Sequence, residues 1–430
     1  MKKLLLLVVF PLFLSKISYS QSYLNNKSKF RFAQGAMGLD LQYVPANGTS
    51  NTITNNQARP FGYGGFYVPK IVIGGLHFWG HADIAFNFPV GEIGKKKDTI
   101  ATNYSDQDFM TFKYYPWAIQ KDKIRPYIGT AFNINTYAQQ GTEAYKTVYG
   151  GMDYKFNLPL NVGLSYQKGS FLFNLDAKLN LNSEREIYVN RTQTTMMNLP
   201  NYMVSFGVRK LFEATVPQFE KRFENGSMKK EYEETKDKLN AVSLNVGLSS
   251  SVYTQVSEYN QNNRKYVSKT PTQVFPEFGI GYYLNKPDLH LNLAYRNFTS
   301  TGQGFGIEQY YARESVTFEA FKFLLDYKGF VPFAGLGISK ENLGFTETDF
   351  GKKTVEASGS KITPSIVLGW DIRYHRNNWL MLRTTMRYYP FLDLDSSVGK
   401  IKFNQLELNF IQAVIYPQRF KYAKRHKIER

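Results

Sequence analysis

Five histidines, His77, His81, His290, His375 and His426, are the side chains best suited by type to acid–base or metal chemistry. Cysteine is absent, so thiolate nucleophiles, Cys–His zinc sites and disulfides are excluded. His77 and His81 lie four residues apart, roughly 13 Å in an extended chain, too far to chelate one metal ion. A serine–histidine–acid site would need a serine fixed beside a histidine, and no spacing singles one out. No glycine-rich phosphate loop, zinc cluster or EF-hand spacing occurs. Asp98-Thr99-Ile100 fits a short bacterial O-glycosylation pattern, but three-residue matches arise easily by chance. The expectation is a chain without catalytic residues, metal or cofactor.

A different chemistry is suggested by charges set among apolar residues: Asp83, Asp153, Lys155, Asp176, Lys178, Arg209, His290, Arg296, Asp371, Arg373, Arg383, Arg387 and Glu407. The segments that carry them alternate. From Met152 the even positions read Met152, Tyr154, Phe156, Leu158, Leu160, Val162, Leu164 and Tyr166, and the positions between them are mostly polar. After Lys168-Gly169 the odd positions take over, as Phe171, Phe173, Leu175, Ala177, Leu179 and Leu181. Period two gives each strand one greasy and one wet face. The segments reach the roughly 9–11 residues that a tilted strand needs to cross a bilayer. Tyr and Phe number 31 and 34 against 4 Trp, and membrane interfaces recruit such rings. At a mean hydropathy of −0.38 a bundle of membrane helices is excluded.

Lys2 and Lys3, the apolar run Leu4 to Leu14, and Ser18-Tyr19-Ser20 read as a signal peptide over residues 1–20, with Gln21 as the mature start. Export makes nucleic acid a poor partner despite the formal charge of +18. Strands are expected near 31–43, 60–74, 76–89, 108–116, 125–138, 152–167, 170–183 and 201–212. The links after the second, fourth and sixth are tight, at Gly74-Gly75, Gln120 to Lys123 and Lys168-Gly169. The others are long and polar, so short and long links sit on opposite rims. Outer-membrane barrels have this design, with the short turns periplasmic.

The second half restates the first. Pro126-Tyr127-Ile128-Gly129 corresponds to Pro332-Phe333-Ala334-Gly335, Phe171 to Leu181 maps on Asn378 to Tyr388, and Asp83 occupies the place of His290. The chain divides into an eight-strand repeat over 21–212, a charged periplasmic connector over 213–240, a second repeat over 241–418 and a basic tail over 419–430. Sixteen strands closing one antiparallel up-and-down barrel is the expectation, and two tandem eight-strand barrels the alternative. Eight strands fill their interior, whereas sixteen leave room for water.

On these grounds the chain resembles the outer-membrane β-barrel family of Gram-negative bacteria, each half looking like a small barrel of the OmpA/OmpX/OmpW type. The closing strand Leu406 to Tyr416 departs from the family's aromatic end, because the basic tail follows it. The resemblance implies an integral outer-membrane protein in contact with lipid and lipopolysaccharide. The inward charges number more bases than acids, so an open lumen would be weakly anion-selective. The expected function is a passive channel. The alternative is a closed barrel serving a surface or type IX-like secretion assembly, with a protein partner at the periplasmic rim.

Overall fold

The computed structural model describes residues 32–46, 49–54, 57–62, 65–95, 100–143, 146–213, 239–269, 274–326, 329–373 and 379–420. The leader, His375, His426, nearly all of the connector and the tail beyond Phe420 lie outside these residues. The first half holds β1 (Gln34–Val44), β2 (Thr49–Thr54), β3 (Gln57–Gly62), β4 (Phe66–His77), β5 (Ala82–Pro89), β6 (Ile100–Tyr114) and β7 (Ile124–Glu143). It continues with β8 (Lys146–Asn157), β9 (Leu160–Lys168), β10 (Phe171–Leu179), β11 (Glu184–Tyr188), β12 (Thr194–Asn198) and β13 (Tyr202–Glu213). The second half holds β14 (Ala241–Tyr253), the short helix α1 (Glu258–Asn263), β15 (Ser268–Lys269), β16 (Phe275–Leu284), β17 (Leu289–Gly304) and β18 (Ile307–Phe323). It ends with β19 (Phe330–Asp349), β20 (Lys352–Ile372), β21 (Leu380–Tyr389), β22 (Asp393–Ser396), β23 (Gly399–Lys402) and β24 (Gln405–Ile415).

Pairing decides the architecture. In the first half β1 pairs β4, each next strand pairs its neighbour through β10 and β13, and β13 returns to β1 from Gln34↔Glu213 to Tyr43↔Val204. In the second half β14 pairs β16, the succession runs to β24, and β24 returns to β14 from Leu244↔Ile415 to Tyr253↔Gln405. Two eight-strand antiparallel rings result, with β8 and β9 sharing one position. The single sixteen-strand ring is thereby corrected to the tandem alternative. Alternation is satisfied by either closure; what favours the narrow rings is the interior, where pairs such as Arg209–Asp83 and Arg387–Glu277 reach across a bore of eight strands. Each closure also pairs the first strand of its ring with the last, sparing an open edge that in lipid would cost several kcal/mol per backbone group.

The outward faces are apolar: Leu39 is 63% exposed, Ile280 60% and Leu336 68%. The Gly74-Gly75 pair is not a turn. β4 runs through it to His77, because Gly74 lies against Ile84 and Ala85 on one side and Gly75 against Gln34 on the other, where a Cβ would clash. The chain reverses at Phe78, Trp79 and Gly80, all in the left-handed region at φ 51°, 57° and 84°. His77 and His81 therefore flank a turn and do not share a strand face.

The rings stand side by side. Outward residues Phe86 and Met110 of the first pack on Phe410 of the second, with Phe88, Phe109, Leu408 and Ile411 around them. At the tight-turn rim Phe330 approaches Phe32 at 5.0 Å. At the long-loop rim Arg191 donates to Asp349 at 2.5 and 3.1 Å and to the Phe305 carbonyl. Single bridges Gly304↔Gly151 and Met152↔Val267 join the sheets there.

Candidate functional site: the charged barrel interiors

Inward positions of β1, β5, β6, β10 and β13 converge in the first barrel. Arg209 donates to Asp83 at 2.9 Å and to Asp40 at 3.0 Å. Gly207 makes this possible, since a Cβ there would strike the Asp40 carboxylate. Lys113 reaches Asp176 at 2.7 Å, and Tyr127 donates to the same carboxylate. Lys178 bridges Asp106 and Asp108, Lys70 meets Asp108 at 3.0 Å, and the Asn133 and Asn135 amides supply further donors to these acids. All of these side chains are buried.

The second barrel uses longer groups. Arg387 forks onto Glu277 at 2.7 and 2.9 Å and also donates to Glu319. Arg313 forks onto Glu341, twice at 2.7 Å, and meets Glu407. Arg383 forks onto Asp371 at 2.7 and 2.9 Å. Arg296 lies 3.7 Å from Glu319 and 3.5 Å from Glu407, and donates to Tyr389 at 2.8 Å. Bidentate pairs of this kind are what allows charge to persist away from water.

Most expected wall residues are therefore brought together. Asp153 and Arg373 are exceptions in place: Asp153 pairs with Arg185 at 3.2 Å towards the long-loop rim, and Arg373 with Asp326 at 2.9 Å at the opposite one. Lys155 is exposed and joins no ion pair among the described residues, so it leaves the wall. His290 is buried, hydrogen-bonded to Ser243 at 3.1 Å and stacked on Phe321 at 5.0 Å. The surplus of bases is corrected as well. Sequence reading missed Asp40, Asp106, Asp108, Glu277, Glu319 and Glu341, along with Lys70, Lys113 and Arg313. With these included, Asp40, Asp83, Asp106, Asp108 and Asp176 face Lys70, Lys113, Lys178 and Arg209 in one bore. Glu277, Glu319, Glu341, Asp371 and Glu407 face Arg296, Arg313, Arg383 and Arg387 in the other.

Above and below these belts both bores are filled by apolar side chains. In the first barrel Phe66, Tyr104, Tyr137 and Met203 lie on the long-loop side and Leu76, Tyr115, Leu172 and Leu211 on the other. In the second, the β22–β23 hairpin folds Leu394, Ile401 and Phe403 onto Tyr311 and Phe345, while Phe321, Phe333 and Tyr416 close the far end. Arg419, expected in a free tail, is buried there; it donates to the Leu239 carbonyl at 2.8 Å and covers the Tyr416 ring at 3.9 Å. Beside Asp40, Lys70 and Lys178 a cavity of about 30 Å³ remains, room for about one water. The expected open lumen is not found among the described residues.

No family model matches the chain, and no curated protein does. Among solved structures it is similar to Neisserial surface protein A, at 12% identity over 41% of this chain and 97% of that one, with a TM-score of 0.28. Ail, the attachment invasion locus protein of Yersinia pestis, matches at 15% identity over the same shares, TM-score 0.28. An outer membrane channel from Pseudomonas putida F1 matches at 8% identity over 91% of this chain and 98% of that one, TM-score 0.20. These likenesses are too loose to transfer a function.

Proposed function

We propose that the chain is an integral outer-membrane protein whose two sealed barrels form a structural platform for a surface or secretion assembly. Membrane insertion is supported by the greasy exterior joined to a polar interior, the reverse of a soluble barrel. The platform reading rests on one observation: in each bore an ion-paired charge belt lies between two apolar plugs. An ion crossing it would have to break buried Arg–Glu or Lys–Asp pairs and then traverse a dry aromatic layer. The exported, lipid-surrounded chain would meet lipopolysaccharide on one side and a protein partner at the tight-turn rim on the other. A non-enzymatic role fits the one Ser–His contact among the described residues, Ser243–His290, which lies sealed inside and has no hydrogen-bond partner on His290 Nδ1.

Planar-bilayer recording of the full chain tests this. Silence across the usual voltage range is the expected result. Stable ohmic steps would overturn the sealed-barrel reading, and a preference for anions in those steps would restore the channel.

A further inference from the structure

We infer that the cleft between the two barrels at their long-loop rim binds the phosphorylated headgroup of an anionic lipid, with an acyl chain laid along the apolar residues at its base. The cleft has a volume of about 510 Å³, within the range of small-molecule sites. Its base is Ile134 and Phe156, cross-strand partners on the first barrel, and Val252 and Val256 on the second. Lys155, Arg264, Lys265 and Lys269 line the same cleft, and no Asp or Glu does.

Two nearby carboxylates are already engaged. Asp153 holds Arg185 and accepts from Ser268 at 3.4 Å, and Glu347 holds Arg264 at 2.9 Å. Lys155 and Lys265 are exposed and in no ion pair among the described residues. Lys269 is anchored by the Lys402 carbonyl at 2.6 Å, with its nitrogen 4.5 and 4.3 Å from the Tyr253 and Tyr311 ring centres. Cationic capacity is thus left over at one point of the rim. On β14 the lipid-facing residues Leu244, Val246 and Leu248 lead up to Val252, so the apolar belt ends where the cations begin. Only an amphiphile with an anionic head matches that order.

The inference rests on the membrane reading, and the test separates the two. The full chain in nonionic detergent is incubated with phosphatidylglycerol, with phosphatidylcholine of the same chains, or with inorganic phosphate, and bound lipid is counted by native mass spectrometry. One phosphatidylglycerol should be retained per chain, with phosphatidylcholine about tenfold weaker and excess phosphate unable to displace the lipid. Lys155→Gln with Lys265→Gln should lose about tenfold in phosphatidylglycerol retention. Both positions are exposed, so the variant should keep the heat-shifted gel migration of a folded barrel. Equal retention of the two lipids, unchanged retention in the variant, or displacement by phosphate would overturn the cleft assignment alone. A chain that stays folded and monodisperse without detergent would overturn the membrane reading itself.

Discussion

The two barrels solve one problem with different side chains. The first fills its bore with short aspartates paired to lysines and asparagine amides, and retains the small cavity beside Lys70 and Lys178. The second uses glutamates and arginines, whose forks lock two or three partners at once; Arg387 alone ties Glu277 to Glu319. Guanidinium planes also lie over rings there, Arg313 at 4.2 Å from Tyr389 and Arg383 at 4.8 Å from Phe321. Planar groups fill cross-section that lysine stems cannot, so equal strand number does not fix how tightly a bore is filled.

The most severe way to break this contrast is Arg387→Ala. It strands Glu277 and Glu319 in a buried belt, at about 3–5 kcal/mol for a broken buried pair. Urea unfolding followed through Trp370 and Trp379, with Trp79→Phe and Trp117→Phe silencing the first barrel, should show the second barrel losing stability, while the converse pair of reporters, Trp79 and Trp117, should show the first unchanged. A milder exchange sharpens the comparison. Arg387→Lys keeps the charge but loses the fork and should cost about 1–3 kcal/mol. Lys178→Arg, placed beside the first barrel's cavity, should cost less than that when unfolding is followed through Trp79 and Trp117 with Trp370→Phe and Trp379→Phe; an equal cost would show that packing of planar groups is not what separates the barrels.

The smallest effect concerns the β22–β23 hairpin over the second barrel. Burial tends to raise the Asp393 carboxyl, but Lys361, with Lys402 and Lys400 behind it, more than offsets this and holds it below its ordinary 3.8. A depressed carboxyl contributes stability that is present above that ordinary value and is lost as pH falls through the depressed one. The pair is partly exposed, so solvent screening keeps the contribution small. Pepsin cleavage near Phe391 and Phe403 should rise below about pH 3.8 relative to cleavage in an Asp393→Asn variant, which should show no such step.

The strands were legible because two-residue periodicity survives wherever the ladder is regular, as in Phe171 to Leu179. The missed acids of β6 have a definite cause: a bulge between Asp108 and Met110 shifts the parity, so a pattern read backwards from Phe112 puts Asp106 and Asp108 on the wrong face. Lys155 stands opposite the buried Asn135 in the ladder, as its parity implies, but its side chain is exposed and outside the belt, which alternation alone does not reveal. Ring number was not legible at all. Alternation records which face meets lipid, but the choice of β13 for β1 is set by contacts across the bore, between residues 126 positions apart such as Asp83 and Arg209.

Local closure has a consequence for biogenesis. The first cylinder has every hydrogen-bonding neighbour it needs once Glu213 has been made, and the second needs nothing from upstream of Ala241 to zip shut. An insertion machine therefore handles two small parcels in succession instead of holding one wide, half-built wall open until the last strand arrives. The phenylalanine seam at Phe86 and Phe410 then needs only two finished pieces to meet.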